Sequence, residues 1–140
     1  MPTIKSYTTL SGEKAMKNLS NQEELELLKR SLDALPRGIL ITDCQQEDDP
    51  IIYVNKYFLE MSGYAESEIL GKNCRFMQGK ETDRESLKKL AIAIEKRESV
   101  TVKMINYRKN GEQFVNEFTI SPVKNQNGEV THCIGLEIEQ

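Results

Sequence analysis

The chain has 140 residues, 38% of them hydrophobic and 29% charged, which suits one globular domain with a short extension and excludes two full domains. Nineteen basic residues are interleaved with 22 acidic ones for a formal net charge of -3, leaving no basic stripe to neutralise nucleic-acid phosphates. No apolar run approaches the roughly 18 residues of a membrane span, and Met1 to Leu10 lacks the apolar stretch of a signal peptide, so a cytoplasmic protein with no nucleic-acid and no membrane partner is expected.

Residues 1–19 are polar, with scattered Gly, Ser and Thr, and are expected to form a flexible arm. Ser20 with Glu23 makes a capping box, which opens an amphipathic helix over 20–36. In it Leu25, Leu28, Leu32 and Leu35 share one face until Pro36 stops the pattern. That stripe suits packing on its own domain as well as it suits a dimer, because two heptads do not specify a coiled coil. The domain proper is expected over 37–139. Strands are predicted at Gly38 to Thr42 and Ile51 to Asn55, joined by a loop that turns at Asp48-Asp49-Pro50. Lys56 to Gly79 is interrupted by Gly63, Gly71 and Gly79 and reads as several short helical turns. Thr82 to Glu95 is a sustained helix, with Leu87, Leu90, Ala91 and Ile94 recurring at helical spacing. Three strands follow, near 99–107, 113–121 and 129–138, separated by turns at Lys109-Asn110-Gly111 and Asn125-Gln126-Asn127-Gly128. The pattern predicts an α+β domain: a five-stranded antiparallel sheet with short helices over one face, plus the N-terminal helix.

Cys44, Cys74 and Cys133 form an odd set without metal-ligand spacing, and the single histidine, His132, adjoins Cys133. Neither a disulfide framework nor a metal site is expected. Strand alternation puts Val100, Val102, Met104 and Asn106 on one side of their strand, and Phe114, Asn116, Phe118 and Ile120 on one side of the next. Each row is apolar but for one asparagine. Two such amides either pair with each other and with backbone, or meet a planar polar ligand whose edge alternates donors and acceptors. In the last strand Val130, His132, Ile134, Leu136 and Ile138 share one side, and Thr131, Cys133, Gly135 and Glu137 the other. If the second side is the lined one, Gly135 lets a flat ligand approach the backbone and Glu137 stands at its edge.

Gly71-Lys72-Asn73-Cys74-Arg75-Phe76-Met77-Gln78-Gly79 is the most specific run in the chain. With Ile41-Thr42-Asp43, Pro50 to Asn55, Ser62-Gly63-Tyr64 and Ile105 to Gly111, it resembles the light-oxygen-voltage (LOV) branch of the PAS domains, as found in short bacterial flavin photoreceptors. The resemblance spans Gly38 to Ile138 and implies the PAS fold. It further implies flavin mononucleotide (FMN) held without a covalent bond in the dark, with Cys74 beside ring carbon C4a. Under blue light the thiol would add to that carbon, its proton going to N5, and the adduct would revert in darkness. By the same resemblance Asn73 and Gln78 reach the ribityl chain and ring edge, Arg75 the phosphate, and Asn106 and Asn116 the pyrimidine edge. Thr42, Leu70, Leu87, Ile94, Phe118 and Ile120 form the mainly apolar box.

Two positions depart from the family pattern. Ala91 stands where most relatives place a second phosphate-binding arginine, so riboflavin is expected to compete with FMN. Glu137 stands where the family usually has a glutamine that contacts flavin O4 and N5. Both atoms are acceptors in the oxidised ring, so Glu137 is expected to be protonated in the dark, or else turned away from the ring. The expected function is a blue-light photoreceptor, not an enzyme, signalling through the sheet and N-terminal helix as a homodimer that uses the helix and the outer sheet face. No downstream effector is legible. Two alternatives share the fold: a light-independent flavin redox sensor, in which Cys74 is idle, and a PAS protein-interaction module.

Overall fold

A computed structural model describes residues 18–140. They fall into two units, one ending at Ala34 and one spanning Leu35–Gln140, and each is described by itself. The arm expected over 1–19 lies almost wholly outside the described residues. In the first unit the helix α1 spans Asn21–Asp33. Ser20 caps it as the sequence predicts: its hydroxyl accepts from the Glu23 N–H at 3.1 Å, and the Glu23 carboxylate accepts from the Ser20 N–H at 3.4 Å.

The second unit is built on β1 (Gly38–Asp43), β2 (Ile51–Val54), β3 (Val100–Tyr107), β4 (Gln113–Lys124) and β5 (Val130–Glu139). They form one antiparallel sheet in the order β2-β1-β5-β4-β3. Between β2 and β3 lie α2 (Lys56–Ser62), α3 (Glu66–Ile69), a 3-10 turn at Cys74–Met77 and α4 (Arg84–Lys96). The glycine breakers act as expected, since α2 ends at Gly63 with φ 78° and Gly71 takes φ 88° after α3. No helix among the described residues is long and apolar enough to cross a membrane.

Helices α2 and α4 pack against β1 and β3. The enclosed core contains Leu40, Ile51, Phe58, Met61, Ile69, Met77, Leu90, Phe118 and Ile120. Removing a side chain of this class from water stabilises the fold by about 1.5–3 kcal/mol. Asn55 is fully buried and joins the start of the sheet to α2. Its Oδ1 accepts from the Ile39 and Phe58 N–H groups at 2.9 and 3.1 Å, and its Nδ2 donates to Arg37 O at 2.9 Å. The asparagine thus serves as N-cap and strand anchor together.

Strand β4 runs three residues beyond the expected end, through Pro122. The β3 ladder stops at Val100–Ile120, whereas β5 continues to pair with Ser121 and Pro122. Proline has no N–H to donate, and beyond Ile120 one side of β4 is an edge, where that loss is tolerated. Register also settles the face of β5. Cys133, Gly135 and Glu137 are buried beneath the helices, and His132, Ile134, Leu136 and Ile138 form the half-buried opposite row.

Candidate functional site

The Cys74 turn is fastened at three places. Upstream, the edge strand β2 pairs with the chain just before it: Gly71 N–H donates to Ile51 O (2.9 Å) and Ile51 N–H to Lys72 O (2.8 Å). At the turn, Asn73 Oδ1 accepts from the Arg75 N–H (3.0 Å) while its Nδ2 donates to Asp48 O (2.8 Å). Downstream, Thr82 accepts from the Gly79 N–H (2.9 Å) and donates to Ile105 O (2.6 Å), and the Tyr107 hydroxyl accepts from the Glu81 N–H (2.8 Å). A Cβ on Gly79 would stand 2.4 Å from the Tyr107 ring, so glycine is required there by close approach.

Held this way, Cys74 lines a cavity of about 420 Å³, within the range of small-molecule sites. Asn73, Arg75 and Gln78 line it from the turn, and Leu87, Leu90, Ala91, Ile94 and Glu95 from α4. Asp48 and Asp49 line it from the β1–β2 loop. Burial first, and then Glu137 once it ionises at higher pH, push the Cys74 thiol up to about 12. At neutral pH the sulfur keeps its proton.

The sheet supplies a second set of residues. Thr42, Asn106, Asn116, Phe118, Ile120 and Glu137 are all buried. The Asn116 amide donates to Asn106 Oδ1 at 2.8 Å, and the Asn106 amide donates to Ile105 O at 3.2 Å. The pairing of the two amides with each other and with backbone is therefore present, yet incomplete: Thr42 Oγ1, Asn116 Oδ1 and Glu137 Oε2 have no hydrogen-bond partner. A buried polar atom left unpaired costs about 1–3 kcal/mol. Burial pushes the Glu137 carboxyl up to about 8, against a smaller opposing effect of the neighbouring Asn116 side chain. A hydroxyl, an amide oxygen and a carboxyl oxygen thus stand unpartnered on one buried sheet face.

Two expected site residues, Leu70 and Gly135, are placed differently, and a third, Arg75, is on the lining but already engaged. Leu70 is 39% exposed and off the cavity wall, because it closes α3 and the left-handed Gly71 follows at once. Gly135 does not leave its space open for a ligand. A Cβ there would meet Leu40 Cδ1 and Phe118 Cε2, each at 2.9 Å, so the protein's own side chains cover that backbone. Arg75 is engaged by Asp48 through paired contacts at 2.8 and 2.6 Å, which raises the guanidinium and holds the carboxyl below its usual range. Asp48 read only as a turn residue in the sequence, since its partner lies 27 positions away. Asn55 carried a legible signal, an amide side chain just ahead of a helical pattern. Among the described residues no group of three or more His, Cys, Asp or Glu is placed to hold a metal ion.

The profile of the PAS domain matches residues 36–140. The class of the protein is therefore that of a sensory α+β module, in agreement with the sheet order and the helical cover. A LOV domain from the Erythrobacter litoralis EL346 blue-light activated histidine kinase is 39% identical, with a TM-score of 0.72, covering 76% of this chain and 97% of that one. An RNA-binding light-oxygen-voltage receptor is 33% identical with a TM-score of 0.79, covering 97% of this chain and 37% of that one. The blue-light photoreceptor of Listeria monocytogenes is 39% identical over 114 residues, 81% of this chain and 45% of its own length. The chain belongs to the light-oxygen-voltage branch of the PAS family. It spans less than half the length of the curated relatives it matches, from 12% to 47%.

Proposed function

We propose that this chain is a blue-light sensor module that holds a flavin between the Cys74 turn, α4 and the buried sheet face, and that Cys74 is its light-reactive thiol. The observation that carries this reading is the Cys74 thiol on the wall of a cavity, in a domain whose buried sheet face holds three unpartnered oxygens, one of them on Glu137, which acts electrostatically on Cys74. A bound flavin would supply blue absorption and, once excited, a ring carbon to which the Cys74 sulfur adds reversibly. Asn106 and Asn116 would hold the pyrimidine edge, where a carboxamide matches both donors and acceptors. A neutral Glu137 would donate to an acceptor on the ring and accept once that position gains a proton. Leu87, Ile94, Phe118 and Ile120 would exclude water, with Asn73 and Gln78 on the side chain of the flavin. The sulfur reacts once per photon and is restored in darkness, so the module is a sensor and not a catalyst.

The phosphate end favours neither FMN nor riboflavin strongly. Among the described residues Arg75 is the one cation on the cavity lining and already carries the Asp48 ion pair, with Asp49 and Glu95 nearby and Ala91 supplying no charge. A phosphate would share the guanidinium with Asp48 or compete with it. Signalling is proposed to run through β5 and the outer sheet row to a second copy of the chain, with α1 contributing to the dimer.

The deciding experiment is an absorption spectrum before and after blue light. Bleaching of the flavin band with recovery in darkness, abolished by Cys74→Ala, is expected. Flavin bound without bleaching would point to the light-independent redox sensor, and purification without flavin after reconstitution attempts would point to the interaction module. Infrared difference spectra test the relay: a carboxylic-acid C=O band that moves on illumination and is absent in Glu137→Gln is expected.

A further inference from the structure

Cys44 directly follows β1, and its N–H donates to Thr131 O at 3.1 Å, extending the β1–β5 ladder by one residue past the Asp43–His132 pair. Cys133 faces Thr42 across the same ladder. Residues two apart on a strand share a side, so Cys44 and Cys133 are diagonal neighbours on the covered face of the sheet. Their sulfurs are 3.1 Å apart, and both are free thiols. The light reaction proposed above uses neither.

We propose that Cys44 and Cys133 are a dithiol pair that hydrogen peroxide converts to an intrachain disulfide, a modification site separate from the Cys74 thiol. Cys44 is half-buried and Cys133 is buried, so the oxidant reaches Cys44 first. The Cys44 sulfur attacks the peroxide O–O bond and becomes a sulfenic acid, releasing one water. Cys133 then displaces the hydroxyl from that sulfur, forming the S–S bond and releasing a second water. Two electrons leave the sulfur pair and reduce one peroxide, so no further reactant is needed.

The setting supports this division of roles. Burial, and next the contact with Cys44, push the Cys133 thiol up to about 12, which suits a resolving sulfur that waits for an activated partner. The Arg97 guanidinium at the end of α4 bonds Asp49, in the loop that follows Cys44, at 3.1 Å. The S–S bond would tie the start of the loop that carries Asp48 and Asp49, both on the cavity lining, to the strand that carries Glu137. The proposal does not depend on flavin binding, and its test reads sulfur chemistry alone.

Trypsin cleaving after Arg37, Lys56, Lys72, Arg75 and Lys124 places the three cysteines on separate peptides. The intact folded protein is treated with hydrogen peroxide in slight excess, alkylated in denaturant and digested without reductant. The expected result is a cross-linked peptide pair carrying Cys44 and Cys133, two of the three titratable thiols lost, and full recovery with dithiothreitol. Cys74→Ala should give the same cross-link. Cys44→Ser should abolish it, and because Cys44 is half-buried this variant keeps the test usable even if Cys133→Ser fails to fold. Accumulation of Cys44 sulfinic acid without a cross-link, a bond through Cys74, or a bond only between two chains would overturn the proposal.

Discussion

Replacing Glu137 with glutamine should make the protein more stable at neutral pH, by an amount that shrinks as the solution is acidified. Glu137 is 2% exposed, and its carboxyl rises from an ordinary 4.5 to about 8 because burial penalises the charge. Below 4.5 the acid is protonated in both folded and unfolded chains, so ionisation costs the fold nothing. Between 4.5 and 8 the unfolded chain releases the proton while the folded chain keeps it, and stability falls with rising pH by about 1.4 kcal/mol per unit. At pH 7 the accumulated loss is about 3 kcal/mol, and at pH 5 it is about 1 kcal/mol. Glutamine has the same shape, carries no charge at any pH and keeps a group able to bond Asn116. Urea unfolding of both proteins at pH 5, 6, 7 and 8 should therefore give a difference that widens steadily and levels off above pH 8. A difference that does not change with pH, or a variant less stable than the parent at pH 7, would refute the assignment of Glu137 as a buried neutral acid.

Other outcomes follow from single contacts. Asn116→Leu removes the donor to Asn106 Oδ1 and should cost about 1–3 kcal/mol in unfolding free energy, the penalty of a buried unpaired acceptor. Gly79→Ala forces a methyl against the Tyr107 ring; a lower thermal midpoint is expected, together with faster amide exchange at Glu81, whose N–H is bonded to that tyrosine. Asp48→Asn releases Arg75 from its ion pair and should raise affinity for FMN over riboflavin about tenfold, as read by quenching of flavin fluorescence, since a charge-assisted contact is worth about 1.5–3 kcal/mol. Ala91→Arg should shift the same ratio in the same direction.

The sequence was most informative where a period and a chemical exception coincided. Asn106 and Asn116 stand out because each interrupts an apolar row at spacing two, and both are buried on the same sheet face. Cys74 stands out through the run around it, and the chopped segment between β2 and α4 through its glycines. The side of β5 was not legible, because both of its rows carry apolar residues; only pairing of Gly38 with Glu137 and of Ile120 with Gly135 decides it. Asp48 escaped notice for a different reason. Its local role as a turn residue explains its presence completely, and its engagement of Arg75 and Asn73 requires chain segments that meet only in the folded state. The proximity of Cys44 and Cys133 was hidden in the same way, since 89 residues separate them. Leu70 is exposed at the residue that closes α3, which side-chain hydrophobicity does not reveal.

The hairpin joining β4 to β5 closes at Asn125, whose N–H donates to Glu129 O at 2.9 Å and whose side chain accepts from the Asn127 and Glu129 N–H groups. The turn residues themselves are exposed. From Val130 the strand runs to Glu137, about 23 Å at the rise of an extended chain. The loop tip is therefore a practical handle for engineering, because an inserted tag or fluorophore would lie far along the same rigid strand from the buried acid. A probe at that tip would report strain in β5 without touching the cavity.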